Sequence, residues 1–136
     1  MRSFQEHVHS KNVEYWFSLA SKGMTPKDQV LLLEKGIATV ERRACQTLSS
    51  ITLKVVIDRV LHETQQKFSV ISDVTLDEKF LNFSAMDREK YALEKVDALT
   101  YLLVELMKVL ARLTANILNT PLNNELKKVT MDSGES

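Results

Sequence analysis

The segment ALEKVDALTYLLVELMKVLARLTANIL, residues 92–118, sets the architecture of this chain. In it Ala92, Val96, Leu99, Leu103, Leu106, Leu110, Leu113 and Ile117 recur at alternating steps of four and three. That is the 3.5-residue repeat of a helix that buries one continuous seam, as in a left-handed coiled coil. Leu93, Leu102, Met107 and Val109 widen the stripe beyond a two-stranded seam. A face this broad requires two or more partner helices, which is the pattern of a helical bundle. Glu105, Lys108 and Arg112 interrupt the run at near-helical spacing, so it reads as an amphipathic helix and not as a membrane span. Ser84 as N-cap, with Asp87 in the first turn, and the stop at Thr120-Pro121 predict a helix over 85–119.

The flanking sequence supplies the partners. Thr25-Pro26-Lys27-Asp28 combines a Thr cap, a Pro at the first helical position and an acid in the first turn, so a helix starts at 26. Val30, Leu33, Ile37, Val40 and Ala44 keep steps of three and four, and the pattern resumes at Leu48 and Ile51 only after an extra step of four. The hydroxyl-rich Thr47-Leu48-Ser49-Ser50 lies at that fault, which predicts a break between 46 and 50. Helices over 26–46 and 50–73 follow, with a first helix over 4–22 closed by Gly23. Thr75-Leu76-Asp77-Glu78 matches a capping box and predicts a short helix over 76–82. The fold expected is all-α: one bundle domain over 1–120 with a long heptad-patterned last helix, and a mobile polar tail over 121–136.

Composition narrows the function classes. The chain has 136 residues, 44% hydrophobic and 26% charged, which excludes disorder for most of it. Three Gly and two Pro leave too few turn residues for an all-β fold. The 18 basic residues balance the 18 acidic ones, so there is no excess of cations to neutralise phosphates, and no nucleic-acid partner is expected. Arg42-Arg43 and Lys127-Lys128 read as solvated faces. The single cysteine, Cys45, allows no internal disulfide and reads as a buried structural thiol in a reducing compartment. No apolar run follows Met1, so a cytoplasmic location is expected.

No catalytic constellation emerges. Gly-rich phosphate loops, nucleophile elbows and Cys-x-x-Cys pairs are all missing from the sequence. A carboxylate-bridged metal pair needs two Glu-x-x-His motifs; only Glu6 to His9 provides one, since Arg59 stands three residues before His62. Neither metal nor cofactor is therefore expected. His62 lies four residues after Asp58, a favourable helical pair. The run from Asp58 to Ile71, with Leu61-His62-Glu63 at its centre, resembles the phosphoacceptor helix of bacterial histidine kinases. That resemblance covers fourteen residues, lacks the following Thr-Pro, and comes with no ATP-binding Asn and Gly boxes in this chain. It implies a relay role in which His62 is the nucleophile and Glu63 orients it and takes up a proton.

Tyr15-Trp16-Phe17 and Phe80-Leu81-Asn82-Phe83 gather the aromatic side chains. Three consecutive aromatics surround most of a helix, so at least one faces solvent or a partner. The leading expectation is a non-enzymatic protein-interaction module, either self-associating (a homodimer favoured) or an adaptor or small chaperone. Leu99, Leu103, Leu106, Leu110, Leu113 and Ile117 would be its core or interface anchors. The alternatives are the His62 phosphotransfer module and a ligand-binding bundle with Tyr15, Trp16, Phe80 or Phe83 at the contact.

Overall fold

The computed structural model describes residues 2–114 and 125–129, with side chains from Lys11 onward. Among these residues four main helices follow in chain order: α1 (Arg2–Ala20), α2 (Pro26–Ala44), α3 (Ser50–Lys67) and α4 (Ala92–Leu113). Between α3 and α4 lie a one-turn 3-10 helix, Ser69–Ile71, and an antiparallel hairpin of β1 (Thr75–Asp77) and β2 (Phe80–Asn82). The all-α bundle thus forms as its periodicity requires. α4 is the spine, packing against α2 most extensively and also against α3 and α1. Leu99, Leu103, Leu106, Met107 and Leu110 are fully buried there with Leu33, Ile37, Leu53 and Ile57.

Local chemistry sets the helix ends. Thr25 Oγ1 accepts the Asp28 N–H at 3.3 Å with Pro26 at the first position of α2. Ser49 Oγ accepts the Thr52 N–H at 3.2 Å and starts α3, so the hydroxyl-rich stretch does separate two helices. Gly23, at φ 75°, takes the left-handed conformation that ends the turn after α1.

The segment between α3 and α4 corrects the sequence reading. Residues 76–82 form a hairpin, not a helix. Asp77, expected in a helical first turn, instead accepts the Lys79 N–H at 2.8 Å and the Asn82 amide at 2.9 Å, which closes the turn. α3 stops at Lys67 and not at 73, because the Gln65 side-chain amide donates to the carbonyls of Ile71 and Val74 and folds the chain back. α4 starts at Ala92 and not at 85. Asp87 caps a turn through the Glu89 and Lys90 amides, Met86 is buried, and Tyr91 is left-handed at φ 54°. At its other end α4 closes at Leu113, and the expected extension over 115–119 lies outside the described residues.

Two further expectations change. Cys45 is exposed just past α2, where the helix has ended and its side chain has no core to enter. Within the stretch expected to be a mobile tail, residues 125–129 pack on the bundle: Leu126 and Val129 are buried three residues apart.

Candidate functional site

α1 presents Val13 and Trp16 to the core, whereas Tyr15 and Leu19, one helical turn apart on another face, stand 63% and 52% exposed. Trp16 is held on two sides. Its indole Nε1 donates to the Val129 carbonyl at 3.1 Å. Its six-membered ring lies over Gly36 of α2, where a Cβ would meet Trp16 Cη2 at 2.9 Å and Leu126 Cδ1 at 3.2 Å. Gly36 is therefore a notch that admits both the indole and the Leu126 side chain, which explains a glycine inside a helix despite its low propensity.

The docked turn at 125–129 forms a wall of two hollows. One, about 400 Å³, is lined by Tyr15, Trp16, Leu19, Ala20 and Lys127 and is mostly apolar. The other, about 330 Å³, lies across the turn among Lys35, Ala38, Thr39, Arg42, Glu125, Lys128 and Val129. Its charges are partly matched, since Lys128 pairs with Glu125 at 3.6 Å and Arg42 donates to the Thr39 hydroxyl at 3.4 Å.

The remaining candidate residues fall into place as follows. Leu99, Leu103, Leu106 and Leu110 are filled by this chain's own helices, Leu113 is 52% exposed, and Ile117 lies outside the described residues. His62 is exposed on α3, its Nε2 3.2 Å from the Gln66 amide. Glu63 points elsewhere and pairs with Arg59 at 3.4 Å, because adjacent helical residues do not share a face. Asp58 makes no contact with the imidazole among the described interactions. Phe80 and Phe83 pack half-buried against the core from the hairpin and do not join Trp16 in one hollow. The Glu6 and His9 side chains lie outside the description, and no group of three or more His, Cys, Asp and Glu able to hold a metal occurs among the described residues.

Glu34 and Glu41, whose spacing in the sequence reads as a solvated surface pair, are instead buried carboxylates. Glu34 on α2 accepts a two-pronged hydrogen bond from Arg88, both arms 2.8 Å, and ties the loop before α4 to α2. Glu41, two turns further along the same face, accepts the Leu81 N–H at 3.1 Å and ties the hairpin. Burial pushes the Glu41 carboxyl up to about 8 against the opposing Leu81 bond, with Asp77 adding repulsion. Lys95, buried in the first turn of α4, donates to the Asp87 carbonyl. These three groups anchor the 68–91 segment to the bundle. Glu34, Gly36 and Glu41 all sit in the periodic α2 run, where an acid or glycine between buried aliphatics was the available signal.

No helix among the described residues is long and apolar enough to cross a membrane. The chain matches no protein-family model, no curated protein and no solved structure.

Proposed function

We propose that this chain is a non-enzymatic protein-interaction module that docks an apolar helical segment of a different protein along α1. The supporting observation is the hollow of about 400 Å³ flanked by exposed Tyr15 and Leu19 and floored by Trp16 and Ala20. Concave apolar sites rimmed by Tyr and Trp are where interfaces concentrate their binding energy. Lys127, the one charge in the lining, belongs to the docked turn, and the other lining residues all come from α1. A heterologous partner is favoured over a second copy because the leucine seam is already covered by α1, α2 and α3.

The test is titration with a synthetic amphipathic helix bearing leucines at i, i+3 and i+7 and flanking glutamates, read by emission of the single tryptophan. Saturable binding that weakens at least tenfold in Leu19→Asp is expected. Equal binding by the parent chain and Leu19→Asp would overturn the proposal.

A further inference from the structure

The turn at 125–129 is seated like a ligand. Leu126 and Val129, three residues apart on one helical turn, insert between α1 and α2; Val129 offers its carbonyl to the Trp16 indole, and Lys127 and Lys128 face outward. The Gly36 notch gives the seat a shape that a side chain at 36 would close. Yet the turn fills only part of the concavity. The open hollow of about 400 Å³ runs from Lys127 of the turn to Tyr15 and Leu19, and it shares Trp16 with the seat.

We infer that the turn at 125–129 is an internal pseudo-ligand, and that the partner segment is a longer helix with aliphatic residues at i and i+3 that displaces it from the Trp16–Gly36 seat. This rests on the docking function proposed above and names the recognised motif. A helix filling both the seat and the hollow buries Tyr15 and Leu19, which the turn leaves in water, while keeping an aliphatic pair at the notch. The tethered turn competes at an effective concentration on the order of millimolar, so it sets a threshold that weak or short segments do not pass.

The experiment uses the full chain and a peptide of the sequence at 122–131, LNNELKKVTM, added in trans. In Leu126→Asp the tryptophan emission should move to the red as the indole loses its cover, with the helical circular dichroism retained. The peptide should restore the blue-shifted emission and bind this variant about tenfold more tightly than it binds the parent chain, where the tethered turn competes. A peptide carrying the same Leu126→Asp change should fail to bind. Should the Leu126→Asp chain lose its helical signal, Leu126→Ala carries the same comparison. Unchanged emission in the variant, or equal peptide affinity for variant and parent, would overturn the inference. Loss of the Leu19→Asp effect with a retained peptide difference would instead remove the docking function and leave the seat.

Discussion

α4 and α1 both carry apolar residues at helical spacing, but they end in opposite environments. Along α4 the seam from Leu99 to Leu110 is sealed on three sides by the chain's own helices. Along α1 the core takes Val13 and Trp16, while Tyr15 and Leu19 remain in water beside an open hollow. The contrast separates stability from recognition. Apolar area that is fully enclosed stabilises the fold, and apolar area left beside a concavity is available to a partner.

The largest break of that contrast is Leu106→Glu. It places a carboxylate at a fully buried seam position, a cost of several kcal/mol against a typical stability of about 5–15 kcal/mol. Loss of the cooperative thermal transition is expected, and an unchanged melting temperature would refute the role of α4 as spine.

A smaller effect comes from the hairpin tie. The Glu41 carboxyl has an ordinary value of 4.5 and is held at about 8 in the fold, so the folded state keeps a proton that the unfolded state has released. Its contribution is complete below pH 4.5 and is lost as pH rises through 8, amounting to at most about 5 kcal/mol. Denaturant midpoints at pH 5, 7 and 9 should fall in that order. Glu41→Gln keeps an acceptor for Leu81 without a charge, and should flatten the trend.

Smaller again is Arg88→Ala, which leaves Glu34 buried without its guanidinium. We expect about 2 kcal/mol, below the range for a fully buried pair because the Arg88 side chain is 39% exposed and water screens it. Amide exchange should quicken through residues 83–91 while the α2–α4 amides keep their protection. The smallest effect on stability belongs to Leu19→Asp, within about 0.5 kcal/mol, as for other exposed sites. A larger loss would place Leu19 in the core and not at a docking surface.

How much of this was legible follows from the kind of force involved. The helices α2, α3 and α4 could be read because burial repeats with the helical period and because Thr25, Pro26 and Ser49 act on their own neighbours. The hairpin could not. Thr75 to Glu78 satisfies a capping box locally, but Leu81 is held by Glu41, forty residues away in sequence, and no local pattern announces that bond. Ser84 failed as a helix start for the same reason, since Arg88 is drawn to Glu34 across 54 residues. At the candidate site the exposure of one of three consecutive aromatics was legible from geometry, and Tyr15 is that residue. The docking of Leu126 and Val129 was not, because two aliphatics in a polar stretch resemble a mobile tail until the Gly36 notch is seen to receive them.

The most direct test of the claim that the leucine seam is closed within one chain is solution mass by light scattering coupled to size exclusion, at two concentrations. A mass of 15.5 kDa is expected at both. A doubled mass that rises with concentration and is abolished by Leu113→Asp would contradict it, because α4 would then be pairing across two chains.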